Sequence, residues 1–200
     1  MTDRVAPFDQ LSVLRSDLEQ DFQLSPDERK RKKQNRIDEI LEMLIIAYMF
    51  GNESGNAMLY GDNGIQTTDL ERPIPIQTDS MNEAIFRKVA DKNWEQRVSE
   101  YMDSETGTVD EIIRVVDTDM NRVYNDAILD VGERADGDVM KTWQTMLDDR
   151  VRDTHDYLEN TSVPVDRRFY TFDGDSARYP GDFTLPQNNV GCRCRISLSR

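Results

Sequence analysis

KTWQTMLDDRVRDTHDYLENTSVPVDRRFYTFDGDSARYPGDFTLPQNNVGCRCRISLSR, residues 141–200, differs in character from everything before it. It holds the single histidine and both cysteines of the chain. Pro164, Pro180 and Pro186, with the turn signals Asp173-Gly174 and Pro180-Gly181, cut it into short pieces. Val139–Met146 reads as a strand, and Ser162–Val165, Phe169–Phe172 and Cys192–Leu198 as short extended segments. Asp149–Leu158 reads as one short helix that puts Arg152 and His155 on the same face. Cys192 and Cys194, two residues apart in an extended segment, point the same way.

Towards the N-terminus the period becomes helical. Thr108 and Glu111 form a capping box, and an apolar stripe from Ile112 to Val131 predicts a long helix ending at Gly132. Before it, Ser80 with Glu83 starts a helix striped by Ile85, Val89, Trp94, Val98, Tyr101 and Met102, which Thr106-Gly107 breaks. Ser25-Pro26-Asp27-Glu28 is a third start, and Ile37, Ile40, Leu41, Leu44, Ile45 and Tyr48 give that helix one apolar face to about Phe50. Gly51 is expected to stop it. Four glycines and the pair Pro73 and Pro75 mark residues 51–79 as an irregular connection, with Ile74 and Ile76 extended around Pro75. Phe8, Leu11, Leu14, Leu18 and Phe22 predict a short docking helix.

The expected fold is α+β. Long N-terminal helices, a helical hairpin or bundle, precede a small mixed C-terminal domain of short strands and a short helix. The boundaries are 1–24 for an N-terminal segment, 25–137 for the helical region with its 51–79 connection, and 138–200 for the small domain.

Charge narrows the partners. The net charge is -14, and an acidic surface repels nucleic-acid phosphates. Residues 29–36 run the other way, with Arg29, Lys30, Arg31, Lys32, Lys33 and Arg36 in eight positions. That run suits a contact to nucleic acid or an acidic partner, and equally the solvated first turns of a helix, which weighs more because no aromatics are interleaved. The N-terminus lacks the pattern of a secretory signal, and Met43–Phe50 is far shorter than the roughly 20 residues a bilayer requires. A soluble chain made in a cytoplasm is the expectation.

Three chemistries could use the terminal cluster. A cysteine nucleophile at Cys192 or Cys194 with His155 as base lacks a glycine-flanked setting, so structural thiols weigh far more. The carboxylates Asp148-Asp149, Asp173 and Asp175 are expected by chance in so acidic a chain. A metal is the better site reading: zinc takes four Cys, His or carboxylate ligands, His155, Cys192 and Cys194 supply three, and Asp148 or Asp182 could supply a fourth. Against it stands a metal-free cluster with buried thiols and a hydrogen-bonded His155, which is favoured because C-x-C alone specifies zinc weakly. Arg150, Arg152, Arg167, Arg168, Arg178, Arg193 and Arg195 share the stretch with many aspartates, which suits Arg–Asp pairs as structural glue.

Taken in order, Trp143, Asp149-Arg150-Val151-Arg152-Asp153-Thr154-His155, a Val-Pro-Val segment, Tyr179-Pro180-Gly181-Asp182 and Cys192-Arg193-Cys194 resemble the Mu-F-like head morphogenesis family of tailed phages, over about residues 108–198. The set, more than any one piece, is specific; its structural core is Trp143, Arg150, Arg152, Pro180, Asp182 and Arg193. The resemblance implies a non-enzymatic minor head protein, a virion component present in several copies. It implies association with the portal protein or major capsid protein, contact with packaged DNA, a role in head assembly, DNA packaging or DNA delivery, and no membrane during assembly. It places the chain in the virion, at the capsid interior or portal vertex, and in the host cytoplasm during assembly. Some members carry a C-x-x-C pair in the helix and a histidine three residues before C-R-C, an arrangement that resembles a zinc site. Arg152 and His155 occupy the pair's positions here and Asn189 the histidine's, which favours a cluster without cofactor over a zinc centre. The competing function is a metal-dependent hydrolase or nuclease using His155, Cys192 and Cys194.

Overall fold

A computed structural model describes residues 9–61, 78–89 and 91–200. Five helices come first: α1 (Gln10–Asp21), α2 (Pro26–Tyr60), α3 (Asp79–Phe86), α4 (Trp94–Asp103) and α5 (Val109–Arg134). The C-terminal part follows as β1 (Met140–Gln144), α6 (Asp153–Asp156), β2 (Ser162–Pro164), β3 (Phe169–Tyr170), β4 (Ser176–Ala177), α7 (Pro186–Asn189) and β5 (Arg195–Ser199). The class is the expected α+β. Phe8 and the Ile74–Ile76 segment fall outside the described residues.

The capping boxes at Ser25–Glu28 and Thr108–Glu111 are both closed, side chain to backbone in each direction. They satisfy amide groups that the first helical turn leaves unpaired. Two boundaries differ from the sequence reading. α2 runs through Gly51 and ends only at Gly61. Gly51 is buried inside the helix because a Cβ there would stand 2.2 Å from the Tyr124 carbonyl oxygen on α5, and one at Gly55 would stand 3.0 Å from Val131. These glycines serve close helix packing, which offsets their cost in helix propensity. The helix expected from Ser80 is two helices. Thr78 caps α3, accepting from the Met81 amide, and Asn93 with Gln96 forms a fourth start that opens α4. The Val89–Lys92 bridge lies between them.

The apolar core is continuous along α5 but has two parts. In one, Leu14 and Leu18 of α1, Ile40 and Leu44 of α2, Ile85 of α3 and Val98 of α4 pack on Ile112, Val116 and Met120. In the other, Tyr124, Ile128 and Leu129 meet Trp143, Phe169, Phe183, both cysteines and Ile196.

The main sheet has the order β2-β1-β5, all antiparallel, with Trp143 opposite Ile196 and Lys141 opposite Leu198. One edge of β5 is covered by helices. The Asn125 side chain, fully buried on α5, accepts from the Ile196 amide at 3.0 Å and donates to the Cys194 carbonyl at 3.2 Å. Asn121 donates to the same carbonyl, and the Leu198 amide meets the Met58 sulfur on the last turns of α2. A strand edge left open would be a template for pairing with other chains. The extra turns of α2 help to close it.

The strands alternate as a half-buried sheet should, and one inward position is a lysine. Lys141 is fully buried, its ammonium has no hydrogen-bond partner among the described residues, and it lies 5.5 Å from the centre of the Phe169 ring. Burial pushes it down to about 8 from 10.5. Between those values the unfolded chain binds the proton that the folded chain has lost, so stability rises with pH across that window and is lost as pH falls through about 8. Lys141→Met is expected to add on the order of 2 kcal/mol at pH 7 and to remove the rise between pH 8 and 10.5. Urea denaturation of both proteins across that range checks it; parallel pH profiles would refute it.

Candidate functional site

The motif residues fall into two neighbouring clusters. The first forms around Trp143, which β1 points inward and which is fully buried. His155 meets it edge-on at 5.4 Å between ring centres, and Phe169 and Phe183 lie at 5.2 and 5.6 Å. His155 also stacks on Phe183 at 5.2 Å with the planes 22° apart. Both cysteine sulfurs stand 3.5 Å from His155 Nδ1. The three possible ligand atoms lie within 4.8 Å of one another, and all three residues are buried.

The local folding that brings them together is simpler than a helix facing a strand. Only Asp153–Asp156 is helical, so the expected Asp149–Leu158 helix reduces to one turn, with Arg152 at the position before it and no side-chain cap. Arg152 therefore does not share a helical face with His155; its guanidinium donates to the Val190 carbonyl instead. The final strand begins at Arg195, after both cysteines, which sit in the turn entering it. Their side chains still converge, because Asn121 and Asn125 hold the Cys194 carbonyl and turn the segment inward.

The two thiols are unequal. The hydrogen bond from Cys194, opposed by burial and aided by His155, holds the Cys192 thiol well below its ordinary value. The same bond and burial push Cys194 up. A cation held by these sulfurs would displace their protons.

The two carboxylates considered as further ligands are engaged elsewhere. Asp148 accepts two bonds from Arg193, at 2.6 and 2.8 Å, and Arg193 holds its carboxyl down at about 2. Arg150, largely exposed, approaches the same carboxylate at 3.5 Å. Among the described residues the ligand group thus stops at three members. Asn189, where the resemblance would put the histidine that some members carry, is buried and makes two bonds to Phe183, accepting from its amide at 2.9 Å and donating to its carbonyl at 2.6 Å. Three residues fit three positions of a tetrahedral zinc site, and the fourth would be left to water. His155 Nε2 is buried without a hydrogen-bond partner among the described residues, so the outer contact that usually orients a ligating imidazole is missing.

The second cluster is the Pro180-Gly181-Asp182 turn. Gly181 has φ +97, and a Cβ there would stand 2.9 Å from Arg122 Cβ on α5. Asp182 accepts from the Arg178 amide and pairs with Arg87 beyond α3 at 2.6 Å and Arg168 before β3 at 3.3 Å. Beneath it Arg122, buried, bonds Asp119 and the Ala84 carbonyl. The Arg–Asp glue expected from composition is thus concentrated where the turn meets the helices.

The basic run is largely used inside the molecule. Arg29 is buried, donates to the Ser104 carbonyl and lies 4.4 Å over the Phe22 ring. Lys33 pairs with Asp103. Lys32 and Arg36 pair with Asp21 at the end of α1, and Arg36 also reaches Asp17 and Glu39. Burial pushes the Asp21 carboxyl up, but the bonds from Arg36 and Lys32 outweigh it and hold it below the usual range. Lys30 and Arg31 are exposed.

Sequence reasoning missed Asn125 and Asn121, and took Asp175 for a carboxylate present by chance. Asp175 accepts from the amides of Ser176, Thr184 and Leu185 and from Asn188, which fixes the loop carrying Phe183. The signal for the asparagines was present: amides interrupting the apolar face of the 109–134 helix mark groups that need a buried partner.

A family model described as "Phage Mu protein F like protein" matches residues 77–197, more than half of the chain. No curated protein and no solved structure shows a significant match. The match begins near the α3 cap and ends on β5, so it takes in both clusters and the helices that hold them. The chain belongs to the Phage Mu protein F like family, a phage head morphogenesis family. Asn189→Ala is expected to cost about 1–3 kcal/mol, since both Phe183 backbone groups would lose their partner in a buried site. Thermal and urea unfolding measure this, and a change under about 0.5 kcal/mol would show that water replaces the amide.

Proposed function

We propose that this chain is a minor component of the phage head, docked at the portal vertex or the inner capsid surface and acting in head assembly, DNA packaging or DNA delivery. The observation that carries the reading is the family match over residues 77–197, which spans the whole motif set. Virion association and contact with other head components follow from that membership; the portal protein or major capsid protein as partner, and several copies per virion, belong to the proposal. Two features support a structural role. The special residues of the C-terminal part are spent on burial and mutual bonds, and the Asp182 turn couples that part to α3 through Arg87. No helix among the described residues is long and apolar enough to cross a membrane. The intact chain is expected to co-sediment with procapsids of its phage in a sucrose gradient. Heads that assemble and package normally without it, with no co-sedimentation, would overturn the proposal.

A second reading rests on the three convergent ligand atoms: His155, Cys192 and Cys194 hold one zinc ion, which serves as a tie between α6 and the turn before β5. When bound, such an ion supplies a structural cross-link between those two segments. Zinc is expected to raise the melting temperature of the intact chain at a stoichiometry of about one, and Cys192→Ser to abolish that response. A wild-type chain whose melting is indifferent to zinc and to chelator leaves the cluster as a metal-free staple.

A further inference from the structure

Three aromatic side chains stand out of the surface beside the site. Phe169 and Thr171 point into the core, so Tyr170 and Phe172 between and after them point outward on one face. Tyr170 is 66% and Phe172 61% exposed. Tyr157, at the end of α6 and 63% exposed, meets Phe172 edge-on with ring centres 5.8 Å apart and planes at 84°. Exposed rings already ordered against one another are a rigid contact surface that loses little side-chain freedom on binding.

The charges around the rings are acidic. Asp153 lies one turn before Tyr157 on the same side of α6, Asp156 precedes it, and Asp173 follows Phe172; all three are exposed. The bond from Thr171 keeps the Asp173 carboxyl below the usual range, so it stays ionised. Of the arginines flanking the hairpin, Arg168 is engaged with Ser176 and Asp182, while Arg167 is exposed and stands 3.9 Å from the equally exposed Asp166. Ring faces attract cations, and a guanidinium stacks on them while bonding to a carboxylate. Carboxylates here would repel a nucleic-acid backbone.

We infer that the Tyr157–Tyr170–Phe172 surface docks an arginine-bearing segment of a protein partner, the guanidinium lying on the rings and bonding to the flanking aspartates. The inference rests on the head reading only for where that partner is found; the chemistry of the contact stands on the rings and carboxylates themselves.

The test titrates the intact chain, with labelled tyrosine and phenylalanine rings, with the peptide acetyl-Gly-Arg-Gly-Arg-Gly-amide and with its lysine and glutamate counterparts. The arginine peptide is expected to shift the rings of Tyr157, Tyr170 and Phe172 before other aromatics and to bind more tightly than the lysine peptide. Tyr157→Ser with Phe172→Ser should weaken it about tenfold. Tyr157→Ser alone gives a smaller loss in the same direction and guards against a folding defect in the pair, which circular dichroism detects. Unchanged affinity in a folded double variant overturns the inference. So does equal binding of the glutamate peptide, tighter binding of a single-stranded oligonucleotide, or loss of self-association as the variant's only effect. Failure here with co-sedimentation intact removes this contact and leaves the head role standing.

Discussion

The buried amide of Asn125 is the constraint on which the C-terminal half depends. The last strand has a free edge on the side away from β1, and its polar groups would be stranded against the apolar face of α5. One side chain accepts from the Ile196 amide and donates to the Cys194 carbonyl. An unsatisfied pair in such a place would cost several kcal/mol. Because the bonds are made, β5 lies flat on α5 and the turn before it delivers both cysteines to His155. The geometry of the cluster is therefore set from the helix, not from the sheet.

α5 does the same for the other cluster. Arg122 is one turn from Asn125 and equally buried, and it presents its Cβ to Gly181. The Pro180-Gly181-Asp182 turn thus rests on a buried ion pair of α5, and Asp182 gathers arginines from the end of α3 and the start of β3. Breaking a buried pair of this kind leaves an uncompensated charge, which is far more costly than the pair is favourable. This is why so polar a chain, with mean hydropathy -0.72, can hold long helices and short strands together. Its apolar surface is modest, and its polar groups are placed where the elements meet.

A molecule arranged this way has an inward-facing set of special residues and an outward-facing set that is separate. Trp143, His155 and the cysteines are buried; Tyr157, two residues after His155, and Tyr170 and Phe172, beside the buried Phe169 and Thr171, are turned to solvent. The buried set fixes the shape of this part of the chain, and exposed rings are a residue type enriched at protein interfaces.

Residue patterns alone established the α+β class, the starts at Ser25 and Thr108, the order of the terminal motifs and the family. Each is a local signal: a capping box, a stripe, or a fixed series of residue types. The end of α2, the break between α3 and α4 and the short α6 were decided by tertiary packing. Gly51 reads as a stop in isolation and becomes a packing surface only when the Tyr124 carbonyl lies against it. The basic run reads as a solvated helix start or, with less weight, a contact to nucleic acid or an acidic partner, until Asp21, Asp17 and Asp103 from other helices close on it. Whether Asp148 and Asp182 were ligands was likewise beyond sequence, because the arginines that claim them, Arg193 and Arg87, lie 45 and 95 residues away. Local propensity fixes what an element can be; which of its side chains remain free for chemistry depends on partners that only the folded chain brings within bonding distance.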